Sequence, residues 1–158
     1  VRVELYLDDG DGVYDAGDTF LSFDTTVAGG YYRFDDLPAG EYIVVLPSDN
    51  FRNNGVGDTV PGDPLSGYWS SQSTISSGGV ISDATANDVD TDVDDSDENG
   101  ISNFTGNVLN YVASNAVTLG PVADEPLNET DLSGGQGEPD AQANMTVDFG
   151  FIAPKLVT

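Results

Sequence analysis

Gly29-Gly30-Tyr31-Tyr32-Arg33-Phe34-Asp35-Asp36-Leu37-Pro38-Ala39-Gly40-Glu41-Tyr42-Ile43-Val44-Val45-Leu46 is the stretch that decides the fold. The Gly pair marks a turn, and Tyr32 and Phe34 share one face of an extended segment. Asp36 to Gly40 marks a second turn, with Leu37 placed to plug the end of a core. Tyr42, Val44 and Leu46 then alternate along a further extended segment. Two extended segments joined by a short Pro/Gly turn predict a hairpin with no helix between them.

The pattern continues outward on both sides. Upstream, Val1, Val3, Leu5 and Leu7 alternate with polar neighbours, which reads as a half-buried strand, and Thr19 to Phe23 supplies another. Downstream, 47–86 is polar and rich in Gly and Ser, broken by Gly67-Tyr68-Trp69, with short strands expected only near Tyr68 to Ile75. A connection this long is usually functional or held by a ligand. Asn110 to Leu119 holds one more strand with Val117 and Leu119 inward, and 120–143 is another polar connection. Met145, Val147, Phe149 and Phe151 close the chain on one face, with Asn144, Thr146 and Asp148 on the other. No segment sustains a 3.6-residue period, so the expected class is all-β, a β-sandwich with long polar loops rather than a barrel.

At 158 residues the chain has room for one domain, expected over 1–152, with 153–158 as a linker or tail toward a next module. Four basic residues face 28 acidic ones, a formal net charge of −24. That charge repels phosphate backbones and anionic lipid surfaces, which argues against nucleic-acid binding and membrane insertion. It also opposes compaction unless cations neutralise it. With no Cys and no His, thiol chemistry, the commonest general base and the commonest transition-metal ligand are all absent.

Two acidic runs carry the candidate chemistry. Laid on a twelve-residue calcium loop starting at Leu7, Asp9, Asp11, Asp15 and Asp18 fall at the third, fifth, ninth and twelfth positions. Gly12 takes the sixth, where the chain must turn sharply, and the Val13 carbonyl takes the seventh. The first position holds Leu7 rather than an acid, and Asp8 substitutes if the loop is offset. Hard cations want six to eight oxygens at one centre, and carboxylates two residues apart on a tightly turning chain converge to supply them. The alternative is a solvated acidic tip. In the second run, Asp88, Asp90, Asp92, Asp94, Asp95 and Asp97 are the candidate ligands, and Val89 and Val93 between them can tuck toward the core. The alternative there is a disordered acidic linker.

Paired carboxylates also serve glycosidases, but an acidic chain holds many accidental pairs and none is singled out by an apolar pocket, so no enzyme is expected. Tyr68 and Trp69 in the 47–86 loop offer a sugar-stacking pair, which makes a carbohydrate- or protein-binding adhesin domain the rival reading. Asn103, Asn128 and Asn144 open Asn-x-Ser/Thr tripeptides, candidate glycosylation sites, of which Asn144 sits on the expected outward face of the last strand.

The pattern Gly30-x-Tyr32-x-Phe34-x-x-Leu37-x-x-Gly40-x-Tyr42-x-Val44 resembles the hairpin signature of B-type repeats in Gram-positive surface adhesins, the serine-aspartate-repeat (Sdr) B domains and the collagen-adhesin B-type domains. Val1-x-Val3-x-Leu5-Tyr6, Leu65-Ser66-Gly67-Tyr68, the Asp88 to Ile101 run and Thr146-Val147-Asp148-Phe149-Gly150-Phe151 extend the likeness over almost the whole chain, closer to the Sdr type. The resemblance implies a Greek-key, transthyretin-like β-sandwich, stabilised by calcium (Ca2+), in a bacterial cell-surface stalk, adhesin or extracellular filament. It implies a secreted or cell-surface location, neighbouring copies of the same module as partners, in tandem or as a strand-donating filament, and a host or matrix ligand for the assembly. Carried over by position, Asp9, Asp11, Asp15 and Asp18 form one calcium site and the Asp88 to Asp97 cluster another. Such repeats begin with a further strand and acidic loop of the Val-Trp-x-Asp-x-Asn-x-Asp-Gly kind, which does not precede Val1 here. That first strand is therefore expected to be missing, cut away or supplied by another chain. The Lys–Asn isopeptide of some such repeats needs a lysine in that strand. Lys155, the sole lysine, lies past the last one, so no such bond is expected.

Overall fold

Five apolar residues in a row, Tyr42-Ile43-Val44-Val45-Leu46, are the signature of a strand covered on both faces, and that is where the chain places them. The computed structural model describes residues 1–51, 63–75, 81–82, 89–90, 98–106, 108–120, 126 and 143–153. Within them run β1 (Arg2–Leu7), β2 (Thr19–Thr25), β3 (Gly40–Leu46), β4 (Trp69–Ser70), β5 (Thr74–Ile75) and β6 (Ile81–Ser82). After these come β7 (Ile101–Thr105), β8 (Val108–Ala113), β9 (Val117–Leu119) and β10 (Phe151–Ile152). One turn of 3-10 helix, Ser48–Asn50, follows β3, and no α-helix occurs among the described residues. The protein is all-β and sandwich-like.

Five of the six strands of its main sheet run in the order β2-β1-β3-β8-β7, the sixth, β9, pairs with β3, and every pair is antiparallel. β3 is the axis. Its first half pairs with β9 and its second half with β8. Between those partners the Ser114 N–H donates to the Val44 carbonyl (2.9 Å), and the Ser114 hydroxyl accepts from the Val44 N–H (3.1 Å). A side chain thus carries the ladder across the gap where the chain steps from β8 to β9.

Alternation along β3 sends Tyr42, Val44 and Leu46 to one face and Ile43 and Val45 to the other. On the first face Val3, Leu5, Tyr42 and Val44 form a core, covered by Tyr32, Phe34, Leu37, Leu119, Val147 and Phe149. It continues into Leu46, Phe51 and Val112 beneath Phe149 and Phe151. Leu37 and Leu119 are thus where the sequence expected them, whereas Leu7 and Met145 are exposed. On the second face Ile43, Val45 and Ala113 lie under Tyr6, Tyr14 and Tyr111. Each fully covered aliphatic side chain contributes about 1.5–3 kcal/mol, so a core on both faces of one strand makes β3 the most stabilising element.

The expected hairpin does not form. Tyr32 and Phe34 pack on the first face as foreseen, with ring centroids 5.9 Å apart. Residues 31–34, however, make no ladder with β3, whose neighbours are β1, β8 and β9. Positive φ at Gly29 (99°), Gly30 (90°) and Asp36 (57°) turns the segment out of the sheet plane and lays it over the core.

β2 is an edge strand with a bulge. Glu4 faces Phe23 and Tyr6 faces Phe20, so Leu21 is the extra residue. The bulge puts Phe20 and Phe23, three apart in sequence, on the same face as Glu4 and Tyr6. Phe20 meets the Tyr6 ring at 5.5 Å, and the Arg2 guanidinium stacks over Phe23 at 4.0 Å.

Asn50 ties the β1 end to the helical turn. Its side chain accepts from the Arg2 N–H (2.8 Å) and donates to the Arg2 carbonyl (2.7 Å), doing the work of a strand partner while 2% exposed. Asn50→Ala strands both groups in a buried site. The expected loss is about 2–3 kcal/mol in a denaturant melt, whereas a surface contact would give less than about 0.5 kcal/mol.

Candidate metal centre

The β1–β2 connection begins where Asp8 N donates to the Glu41 carbonyl (3.0 Å), which anchors the loop to the sheet. From there the carboxylates organise the backbone. Asp8 accepts from the N–H groups of Gly10 (2.9 Å) and Gly12 (3.2 Å), and Asp11 accepts from Val13 N (3.0 Å). Asp18 reaches back to Asp9 N (3.2 Å) and Asp15 N (2.8 Å), closing the loop on itself. Gly10 (φ 102°) and Gly12 (φ 78°) hold left-handed conformations that an L side chain resists, which explains the Asp-Gly-Asp-Gly alternation.

Carboxylate oxygens of Asp8, Asp9 and Asp11 all lie within 4.8 Å of one another, with Asp8 the least exposed of the three. Asp9 is the focus. Desolvation, then the charges of Asp11, Asp15, Asp18 and Asp8, push its carboxyl above the usual carboxylate range. Protonation of Asp9 is therefore favoured by folding, and acidification from neutral pH relieves the cation-free loop. Gly17 lies against the Asp9 and Asp15 carboxylates, so a Cβ there would collide with Asp9. All five loop acids named from the sequence thus act on one small region, with Asp8 inside the cluster although the spacing template began at Leu7. Val13 lies beside them and its side chain is exposed.

The loop also reaches the core. Tyr14 sits edge-on between Tyr6 and Tyr111, with both centroid distances 4.8 Å, and the Tyr111 hydroxyl donates to the Tyr14 carbonyl (3.4 Å). The residue between the acids is therefore the lid of the second core face, a role the sequence pattern did not reveal.

Of the second run, Asp88, Asp92, Asp94, Asp95 and Asp97 lie outside the described residues, and so does Val93. The two ends are held firmly. Val89 is fully buried, as its apolar character required, and its carbonyl accepts from the Asn144 amide (2.7 Å). Asp90 accepts from Thr118 N (2.7 Å) in the middle of β9. At the far end Glu98 is buried and accepts from the Ser70 hydroxyl, its carbonyl accepts from Gln72, and buried Asn99 pairs with Asp148. Glu98 and Asn99 were not singled out from the sequence. The change from Asp to Glu at the end of the run was their only signal.

Asn103 lies exposed on the edge strand β7, its side chain bonded to Asn110 (2.8 Å). Asn144, expected to face outward, instead spends its amide on the Val89 carbonyl and its oxygen on buried Thr146 (3.1 Å). Asn128 is outside the described residues. Tyr68 is exposed, while Trp69 is half-buried in β4 opposite Ile152. Among the described residues no helix is long and apolar enough to cross a membrane. No protein-family model, curated protein or solved structure matches the chain.

Proposed function

We propose that the chain is a calcium-stabilised structural module, non-catalytic, serving as a repeat or subunit of a bacterial cell-surface stalk, adhesin or extracellular filament. The observation that supports this reading is the clustering of the Asp8, Asp9 and Asp11 carboxylates, with the Asp15 and Asp18 charges also acting on Asp9, on a loop whose Tyr14 covers the second core face. A divalent cation there offsets the mutual repulsion of the acids and fixes Tyr14 at the same time. Extracellular calcium modules work at dissociation constants of about 10⁻⁴–10⁻³ M, the regime suited to a shallow, exposed loop on a secreted or surface protein. The Greek-key, transthyretin-like connectivity, the second ion site within 88–97 and the pairing with neighbouring copies belong to the same proposal.

Calorimetric titration with calcium tests it. Saturable binding is expected, lost in Asp9→Asn/Asp11→Asn, and absence of binding to the unaltered chain overturns the reading. Gly17→Ala sharpens the test. Its Cβ displaces Asp9 without touching the core, so calcium affinity should fall about tenfold or more while cation-free stability stays unchanged.

The rival binding reading keeps one specific support, the exposed ring of Tyr68 beside Trp69. Glycan or matrix-protein binding lost on Tyr68→Ala would favour it.

A further inference from the structure

β2 is an edge of the main sheet, and it is apolar without being covered. Six of its seven residues are exposed, among them Phe20 (47%), Leu21 (41%) and Phe23 (54%). Soluble proteins normally keep such an edge short, charged or covered. Its backbone is open on the outer side as well. Even-numbered residues of β1 turn their N–H and C=O toward β3 and the helical turn after it. Asn50 takes both groups of Arg2, and Asp8 N donates to the Glu41 carbonyl. By alternation Glu4 and Tyr6 do the same, so Phe23 and Phe20 opposite them turn theirs away from β1. Outside the sheet ladders no hydrogen bond reaches a backbone group of Phe20 or Phe23 among the described residues. The opposite edge, β7, differs, because its exposed residues are Asn103 and Thr105. The β2 surface is also close to neutral. Between Thr19 and Phe34 one acid, Asp24, is matched by one base, Arg33, in a chain of net charge −24.

We propose that β2 pairs antiparallel with β2 of a second copy about a two-fold axis, joining the two sheets edge to edge. Copies of so acidic a chain repel one another except where both surfaces are neutral, and β2 is such a surface on each. The strand is also complementary to itself in one register. With the axis between Leu21 and Ser22, Phe20 lies opposite Phe23 of the second copy, and Thr19 lies opposite its Asp24. Both Phe positions present outward N–H and C=O groups, so each Phe20–Phe23 pair exchanges two main-chain hydrogen bonds. The bulge has put both rings on one face, so four rings meet at the axis. A register that set Asp24 against itself would oppose like charges. Aromatic side chains present about 150–250 Å² each, so Phe20, Phe23 and Tyr31 at 47%, 54% and 67% exposure offer roughly 250–400 Å². Leu21 and Val27 bring this to about 500 Å² per copy, or about 1,000 Å² over the pair, the lower limit for a specific interface. A two-fold contact closes on itself, so it binds modules side by side in pairs and cannot alone grow a filament. The inference rests on the reading of the chain as a module that meets copies of itself, and it names the surface they share.

Sedimentation of the calcium-saturated full chain tests it. A monomer–dimer equilibrium is expected. Raising sodium chloride from about 0.05 M to about 0.5 M should tighten it about tenfold, because salt screens the repulsion between copies. Phe23→Asp puts a charge beside the axis at an exposed position and should weaken the dimer about tenfold or more. Asn103→Asp adds the same charge on β7 and should leave the dimer unchanged. Unchanged amide exchange at Val45 and Val112 shows that both variants are folded. Cross-linking reads the register, since the chain has no Cys of its own. A mixture of Phe20→Cys and Phe23→Cys chains should form disulfide-linked dimers about tenfold faster than either variant alone, because directly opposed residues lie within disulfide reach. A monomer at every concentration and salt overturns the inference, and so does a dimer that loosens as salt rises. Equal effects of the two added charges, or equal cross-linking in the mixture and the single variants, overturn it too. Calcium titration of the same protein addresses the calcium reading separately, so failure there is distinguishable from failure of the edge contact.

Discussion

Excess chelator is expected to lower the melting temperature of the chain by about 5–10 °C per ion lost, and restoring calcium should recover it fully. The magnitude follows from mass action, because a ligand held at a hundred times its dissociation constant adds about 2.7 kcal/mol to the folded state. For a chain of this size about 1 kcal/mol moves the midpoint by roughly 2–4 °C. The sign of an acid-to-amide change makes the test sharper. Asp9 stands among four like charges that push its carboxyl upward, so without a cation Asp9→Asn relieves repulsion and should raise the melting temperature. With calcium present the same change removes a ligand and should lower it. A solvated acidic tip gives a small effect of one sign under both conditions. Unchanged melting after chelation, in a sample shown by elemental analysis to hold no ion, would overturn the calcium reading.

β3 was legible because its five consecutive apolar residues have no other stable placement, and β1 because Val3 and Leu5 alternate with polar partners. Local geometry breaks the period elsewhere. The turn residues of 29–46 predict a hairpin. Left-handed backbone at Gly29, Gly30 and Asp36 spends those turns on leaving the sheet rather than reversing within it. In β2 the bulge at Leu21 resets the alternation, so Phe20 and Phe23 share a face that a period of two would deny them. β7 escaped notice because Ser102 and Asn103 interrupt its pattern, and Asn110 to Leu119 resolved into two strands because Ser114 bridges a break. The grouping of Asp8, Asp9 and Asp11 was legible because the spacing of carboxylates and glycines along a loop is a local property. Tyr14 was not, because a lone aromatic inside an acidic loop carries no periodicity, and its partners Tyr6 and Tyr111 meet it only after folding. Asn144 shows the converse. Alternation placed it outward, but the Val89 carbonyl arriving from a distant segment claims its amide.

Tyr14→Ala is expected to destabilise the calcium-loaded chain by about 2–4 kcal/mol, because it removes two edge-on aromatic contacts and uncovers Ile43, Val45 and Ala113. In the chelated chain the loss should be smaller by about 1–2 kcal/mol, because Asp8 to Asp18 then repel one another and Tyr14 is already less firmly seated. Unfolding the two proteins with and without calcium closes the cycle. The difference between the two losses is the coupling between ion and core. Linkage also fixes the reciprocal result, so the alanine variant should bind calcium about tenfold more weakly although no ligand oxygen has been touched. Equal losses under both conditions would mean that Tyr14 packs whether or not an ion is bound. The loop would then hold its cation as an ornament of the surface, and calcium could not stiffen the module through its second face. A coupled result assigns the acids a mechanical task, since the ion then sets how tightly β3, β8 and the loop are clamped together, the property a stalk under load requires.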